Sequence, residues 1–157
     1  MKVIVLYYSR GGTTKRIAEL LADFVKEEKV DVDIADTENF QVDKLLDYDG
    51  IIIGSPTYYG SLAASVKNLF DQSVAFHGKL DGKVGAAFST SANLAGGNET
   101  TALSILEAML IHGMIIQGDF KGDHYGSVAV GKVDYRAEQN CKRQAQRFVA
   151  LLNSIKS

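Results

Sequence analysis

The residues best suited to bind a ligand form a short loop between an apolar run and a helical pattern. The loop follows the apolar residues 3–6 and is small, hydroxylated and basic: Ser9, Arg10, Gly11, Gly12, Thr13 and Thr14. Two adjacent glycines let a backbone come close to an anion, and the free N–H groups of a following helix would point at it. The loop therefore has the chemistry of a phosphate cradle.

The spacing in this loop excludes two common nucleotide-binding motifs. No Gly-Lys-Ser/Thr follows, so it is not a Walker loop, and no third glycine stands at the offset of Gly-x-Gly-x-x-Gly. A plain strand-to-helix turn, with Thr13 or Thr14 as the helix N-cap, explains the same residues without a ligand. On these residues alone both interpretations remain.

A second candidate loop combines two adjacent tyrosines with smaller residues: Pro56, Thr57, Tyr58, Tyr59 and Gly60. Adjacent tyrosines at the rim of a sheet are poor core material, because their side chains diverge and their hydroxyls need partners. A flat aromatic ligand would give them a stacking surface. The alternative is a solvent-exposed aromatic pair that covers the next helix.

A third loop is small, hydroxylated and glycine-bearing, which suits close backbone contact with a polar ring edge. Its candidate contact residues are Ser89, Thr90, Ser91, Ala92, Asn93, Gly96 and Gly97. Taken alone, it is also typical of a helix-capping loop with Asn98 as the N-cap.

Strand and helix patterns alternate along the whole chain. Strands are predicted near 2–8, 30–35, 49–54, 83–89, 114–118 and 127–130, and helices near 13–28, 41–46, 61–75, 98–112 and 134–155. Such alternation predicts an α/β fold, a doubly wound parallel sheet with helices on both faces.

The strand patterns also predict the order of the sheet. Residues 3–6 and 51–53 are apolar on both faces and should be central, whereas residues 30–34 alternate strictly, as an edge strand does. A five-stranded sheet in the order 2-1-3-4-5 satisfies both requirements. Because ligands of such sheets bind at the carboxyl ends of the strands, the three loops should converge.

Composition limits the classes of function. The chain has 157 residues, 46 % hydrophobic content, a net charge of −2 and one cysteine, Cys141. These values predict a single domain over residues 1–157, with Cys141 a packed thiol on the last helix. We expect a cytoplasmic protein with no membrane insertion and no nucleic-acid partner, because neither a membrane-length apolar run nor a basic stripe is present.

The whole chain resembles flavodoxin-like FMN proteins, and most closely the WrbA-type NAD(P)H:quinone oxidoreductases. The resemblance depends on residues 9–14, 54–60, 71–72, 89–90, 96–101, 112–114 and 125–127, in the same order along the chain. It implies that residues 9–14 hold the FMN phosphate and that Thr57, Tyr58 and Tyr59 line the isoalloxazine, with Pro56 and Gly60 among the other cofactor-binding residues. It also implies that residues 89–97 contact the pyrimidine edge and that His112 reaches the flavin. The alternative for His112 is a histidine stabilised at a helix C-terminus before Gly113.

The resemblance implies an oxidoreductase that moves electrons from NAD(P)H through FMN to a quinone or similar acceptor. The alternative is a flavodoxin-type one-electron shuttle between redox proteins. Ser61 stands where short-chain flavodoxins often carry Asp, which favours the enzyme. The six-residue connection 35–40 lacks the insertion associated with WrbA-type tetramers, which favours the shuttle.

Two further features bear on partners. Gly11 stands where WrbA-type proteins commonly have an aromatic residue near the nicotinamide site, and the chain has no tryptophan. These departures weaken the case for NAD(P)H as donor and leave FMN binding untouched. A homodimer is also expected, since a neighbouring subunit completes the flavin edge in related enzymes.

A response-regulator receiver is excluded, because Tyr7, Tyr8 and Ser9 replace the acidic cluster that it needs.

Overall fold

The computed structural model describes residues 1–156 as alternating strands and helices. The strands are β1 (Lys2–Tyr7), β2 (Asp31–Asp36), β3 (Gly50–Tyr58), β4 (Ser61–Leu62), β5 (Val84–Ser91), β6 (Ile115–Ile116) and β7 (Val128–Val130). The α-helices are α1 (Thr13–Glu27), α2 (Ala64–Ser73), α3 (Asn98–Ile111) and α4 (Tyr135–Lys156). Two short 3-10 helices cover Val42–Asp47 and Val74–Phe76.

The sheet has the order β2-β1-β3-β5-β6, and every pair along this path is parallel. This confirms the predicted order, because β5 is the fourth main strand and β6 begins the fifth. β7 continues the fifth position and also pairs with β5 in parallel, whereas β4 forms a short antiparallel pair with β3. Two short strands therefore extend the predicted five-stranded sheet to seven.

Apolar cores cover both faces of the sheet. Val3, Val5 and Ile52 belong to a core that also contains the buried faces of α1 and α4. Ile4 and Ile51 belong to the opposite core, beneath α2 and α3. Successive side chains of a strand point to opposite faces, so a continuously apolar strand supplies both cores at once. The helices on both faces were predicted correctly.

Gly54 marks the tightest contact between β3 and its neighbour β5. A Cβ atom at Gly54 would lie 2.0 Å from the ring of Phe88, which is fully buried. A residue without a side chain is therefore required where β3 approaches the loops.

Three predicted elements differ in their ends or type. β3 continues to Tyr58, because Ser55 and Pro56 still pair with Ser89 and Thr90 of β5. Helix α2 starts only at Ala64, since Ser61 and Leu62 pair back with β3. The short helix near 41–46 is a 3-10 helix rather than an α-helix.

The fifth strand is interrupted between β6 and β7. Glycines at 118, 122 and 126 and a cluster of polar residues lie between the two segments. Such residues disfavour continuous strand structure.

Cys141 is fully buried in α4, and burial raises the pKa of its thiol to about 12. The prediction of a packed thiol is confirmed. Among residues 1–156, no helix is both long and apolar enough to cross a bilayer.

Candidate functional site

Three loops leave the carboxyl ends of β1, β3 and β5, and we call them together the loop edge. It comprises residues 9–14, 57–61 and 91–97. Strand β3 lies between β1 and β5. Near its carboxyl end, Gly54 of β3 pairs with Tyr7 of β1, and Pro56 of β3 pairs with Thr90 of β5. The predicted convergence of the three loops follows from this register.

The first loop ends in a helix start without a side-chain cap. Gly12 is the N-cap residue of α1, with a left-handed backbone at φ 91°, and no side chain caps the helix. The alternative with Thr13 or Thr14 as N-cap is therefore wrong. No acidic residue stands in the first turn of α1. Its N–H groups are thus left for solvent or an anionic ligand.

Hydroxyl groups fix the shape of this loop. Ser9 Oγ accepts a hydrogen bond from the Gly12 N–H at 3.1 Å. Thr14 is buried, and its Oγ1 lies 2.8 Å from Thr90 Oγ1 of β5. Thr13 Oγ1 donates to the Gly131 carbonyl at 3.1 Å, which ties the loop to the residue that follows β7. The structure thus holds the first loop against both neighbouring strand ends.

The space beside the two glycines is large enough for a ligand group. A Cβ atom built on Gly11 or Gly12 would meet no atom within 4 Å. Arg10 is exposed and makes no ion pair with any residue of the described chain. An uncapped helix start, free space and an unpaired cation together fit a phosphate group.

The second loop is a two-residue β-hairpin with an unusual residue at its tip. Tyr58 pairs with Ser61, so Tyr59 and Gly60 form the turn, with φ values of 50° and 77°. Positive φ at both positions defines a type I′ turn, which usually takes Asn-Gly. Tyr59 is completely exposed, whereas Tyr58 is 40 % exposed and meets the edge of the Tyr8 ring at 6.4 Å. The hairpin therefore presents one unpartnered aromatic face to solvent.

The third loop is locked to this hairpin. Gly97 is the left-handed N-cap of α3, and a Cβ atom there would lie 2.9 Å from Gly60 Cα. The Thr100 Oγ1–H donates to the Gly60 carbonyl at 2.6 Å. Thr101 Oγ1 lies 3.0 Å from Thr57 Oγ1. The alternative with Asn98 as N-cap is wrong, since α3 starts after a glycine and has no side-chain cap.

Several predicted contact residues of the third loop are structural. Ser89 is fully buried and donates to the Asn98 carbonyl at 2.7 Å. Ser91 donates to the Asn93 carbonyl at 2.9 Å and accepts from Asn98 Nδ2 at 3.1 Å. Among the predicted contact residues of this loop, Ala92, Asn93 and Gly96 are exposed, and these are the ones that present surface to a ligand.

His112 does not join the loop edge within this chain. It follows the last residue of α3, and a helix of 14 residues places it about 21 Å from Gly97. Ser73 Oγ donates to the Phe70 carbonyl, so His112 Nε2, 2.7 Å away, acts as the donor to Ser73. Its Nδ1 is then unprotonated, and it is buried with no partner among the described residues.

The environment of His112 favours the neutral form of its ring. Burial lowers the pKa of His112, and the nearby His77 ring, 5.9 Å away, lowers it further. The alternative interpretation, a histidine at a helix C-terminus, matches its position as the C-cap of α3 before the left-handed Gly113.

Sequence reasoning did not include three residues of this site among its candidates. Thr100 and Thr101 join the second and third loops, and two adjacent hydroxyl residues in the first turn after Gly97 were the available signal. Lys132 is exposed and makes no ion pair within residues 1–156, and it follows the residue that accepts the Thr13 hydrogen bond. No local pattern could have placed Lys132 there, because the contact spans 118 residues.

A parallel sheet in the order 2-1-3-4-5, with ligand-ready loops at the carboxyl ends of its central strands, defines the flavodoxin-like class of doubly wound α/β proteins. The family model described as "Flavodoxin domain" matches residues 4–150. The chain belongs to this family, and the resemblance inferred from its motifs is confirmed.

The chain is similar to curated proteins with two different names. A protein named flavodoxin from Clostridium saccharobutylicum is 32 % identical over 99 % of both chains. A protein named NAD(P)H dehydrogenase (quinone) from Gluconacetobacter diazotrophicus is 34 % identical over 94 % of this chain and 92 % of its own.

Solved structures agree on the fold. An archaeal flavodoxin has a TM-score of 0.82 at 27 % identity and covers 98 % of this chain and 99 % of its own. A WrbA-like flavodoxin from Agrobacterium tumefaciens also has a TM-score of 0.82, at 24 % identity, with 98 % of both chains covered.

Proposed function

We propose that the loop edge binds FMN and that the protein is an FMN-dependent oxidoreductase. One observation carries the proposal: the uncapped start of α1, with free space beside Gly11 and Gly12, lies at the same edge as the unpartnered face of Tyr59. A phosphate fits the first feature and a flat aromatic ring fits the second. FMN carries both groups in one molecule.

The chain's own residues would bind and orient this cofactor. The backbone N–H groups at Thr13 and Thr14 would hold the phosphate, with Arg10 and Lys132 adding positive charge. Tyr59 would stack on the ring, and the exposed backbone of residues 92–97 would meet its polar edge. FMN itself supplies the electron-transfer chemistry, and the protein positions it and sets its electrostatic surroundings.

The electrostatics of the loop edge favours an enzyme that takes electrons from NAD(P)H and reduces a quinone or similar small acceptor. Residues 9–14, 57–61 and 91–97 contain no carboxylate, and Arg10 is their only charged residue. A negative charge that arises on reduction is stabilised by a nearby cation and destabilised by nearby carboxylates. The loop edge therefore suits a readily reduced cofactor.

A one-electron shuttle between redox proteins is the second candidate. It is favoured by the match to a clostridial flavodoxin over 99 % of both chains. The connection between β2 and the 3-10 helix Val42–Asp47 is also short, without an insertion. A homodimer and a cytoplasmic location remain predictions under either candidate.

Cofactor binding is tested at Gly11, which has ordinary backbone geometry and free space beside it. The purified protein should be yellow, and a colourless protein that gains no flavin absorbance with added FMN contradicts the proposal. Gly11→Glu should abolish FMN retention, because a carboxylate would occupy the phosphate space. Gly11→Gln has the same size without the charge and should retain weakened binding. Equal affinity in both variants and the parent would show that the phosphate lies elsewhere.

The two candidate functions are separated by stopped-flow reduction of the FMN-loaded protein with NADPH, NADH and dithionite. Rapid bleaching by a pyridine nucleotide in one two-electron step, followed by reoxidation with a quinone, supports the enzyme. Reduction by dithionite alone, through a stable one-electron stage, contradicts the enzyme and supports the shuttle.

A further inference from the structure

The interrupted fifth strand leaves a gap beside β5. Strand β6 pairs with Val84 and Gly85, and β7 pairs with residues 89–91. On that side, residues 86–88 therefore have no strand partner within the described part of the chain. Gln144 of α4 takes the place of the missing strand. Its Nε2 donates to the Ala87 carbonyl at 2.7 Å, and its Oε1 accepts from the Ser127 N–H at 2.8 Å.

This arrangement keeps the gap from closing and leaves a cavity of about 240 Å³. Residues 85–87 form its floor, and Ile116, Phe148 and Leu151 give it apolar walls. An apolar cavity of about 150 Å³ is large enough for benzene, and pockets for drug-sized ligands start at about 300 Å³. The volume of this cavity lies between the two. A molecule of one or two rings matches this size.

One wall of the cavity carries a surplus positive charge. Asp119 pairs with Arg143 through two hydrogen bonds, of 2.5 and 2.8 Å. Arg147 lies 3.7 Å from the same carboxylate and donates to the Gly118 carbonyl at 2.9 Å. Two guanidinium groups thus share one carboxylate, and Arg147 is the one that lines the cavity. The second acidic residue of the lining, Asp123, is already paired with Arg136 at 2.6 Å.

The cavity also has an unused hydrogen-bonding group. Ser127 lines it and is 1 % exposed, and its Oγ meets no oxygen or nitrogen partner among residues 1–156. The Cys141 thiol, a weak hydrogen-bonding group, lies beside this hydroxyl. Buried hydroxyls without such a partner are uncommon and call for an explanation.

We propose that this cavity is a binding site for a small aromatic carboxylate of one or two rings. The rings lie between the apolar walls formed by Ile116, Phe148 and Leu151, and the carboxylate pairs with Arg147. The site is separate from the loop edge: Ala87 precedes Ser91 by four strand residues, which is about 13 Å. It does not depend on the identity of the cofactor.

The proposal is tested by NMR on the ¹⁵N-labelled protein with its cofactor, using 2-naphthoate as probe and 2-naphthamide as its neutral analogue. 2-Naphthoate should give saturable amide shifts in residues 117–127 and 144–151, with residues 9–14 unchanged. 2-Naphthamide should bind at the same place more weakly. Arg147→Gln should weaken 2-naphthoate binding about tenfold, since the charge-assisted hydrogen bond to the carboxylate is lost. The affinity for 2-naphthamide should be unchanged.

Two further variants sharpen the test. Lys121→Gln removes an exposed cation that lies 5.9 Å from the Phe120 ring but does not line the cavity, and it should leave both affinities unchanged. Ala86→Val reduces the cavity volume and introduces a residue that is favourable in a strand. This variant should weaken the binding of both probes. The proposal is overturned if no saturable shift appears at millimolar probe, if the shifts centre on residues 9–14, or if Arg147→Gln does not discriminate between the probes.

Discussion

Tyr59 stands at a position where fold stability and cofactor binding should make opposite demands. Its φ of 50° is left-handed, and it forms the first turn residue of a two-residue hairpin that normally takes asparagine. A bulky residue is strained in this region, whereas asparagine enters it at lower cost. The side chain is completely exposed, so it contributes no core packing to offset the strain.

Tyr59→Asn should therefore stabilise the protein without cofactor. The left-handed conformation costs an ordinary L-residue about 1–2 kcal/mol, and relieving part of this cost should raise the free energy of unfolding by about 0.5–1 kcal/mol. For a chain of this length, that is a rise in Tm of about 1–4 °C. The same substitution removes an aromatic stacking face, which should cost about 1–3 kcal/mol of FMN binding, or about 5- to 150-fold in Kd.

Urea denaturation of the cofactor-free protein measures the first effect, and quenching of FMN fluorescence measures the second. Tyr59→Phe is the matched control: it keeps both the ring and the backbone strain, so neither quantity should change. The reasoning is refuted if Tyr59→Asn lowers the stability of the cofactor-free protein. It is equally refuted if FMN affinity is unchanged, because the exposed ring would then have no ligand to stack on.

Three further predictions concern charge and burial. Lys132→Gln should weaken FMN binding about threefold and leave riboflavin binding unchanged, because only FMN has a phosphate. Fluorescence titration measures both affinities, and Lys29→Gln, which removes another exposed cation, is the control. The pKa of His112 is lower in the folded protein than in the unfolded chain, so the unfolded chain takes up the proton at a higher pH. The free energy of unfolding should therefore fall as the pH drops below about 6.5, by at most about 1.4 kcal/mol per pH unit. Chemical denaturation at a series of pH values should show a flatter stability profile for His112→Gln than for the parent protein. Cys141 should react with a thiol reagent only as fast as the fold opens, whereas rapid reaction in the native protein would contradict its burial.

The sequence predicted the sheet order because position in a sheet is encoded in local patterns. Residues 3–6 and 51–53 are apolar on both faces, and Asp31 to Ile34 alternate, so central and edge strands could be told apart. The convergence of the three loops then followed from the rule for parallel strands. The helix caps were harder, since glycine and threonine compete for the same position and only backbone geometry shows that Gly12 and Gly97 take it.

Contacts between distant residues could not be predicted from local patterns. Gln144 replaces a missing strand by bonding to Ala87 and Ser127, and Thr13 bonds to Gly131, across the largest sequence separation in the loop edge. His112 was assigned to the flavin by resemblance alone. The length of α3, which the sequence did predict, is what places it about 21 Å from Gly97 in this chain.

Backbone strain is concentrated where the ligand is proposed to bind. Three residues other than glycine have positive φ among residues 1–156, and two of them, Tyr59 and Ala95, lie in the loop edge. The left-handed N-caps Gly12 and Gly97 lie there as well. Strain of this kind persists only when surrounding structure enforces it, and the Thr100 bond to Gly60 and the pairing of Tyr58 with Ser61 do so here. The scaffold therefore holds the ligand-facing backbone in shape before any ligand arrives, which lowers the conformational entropy that binding must overcome.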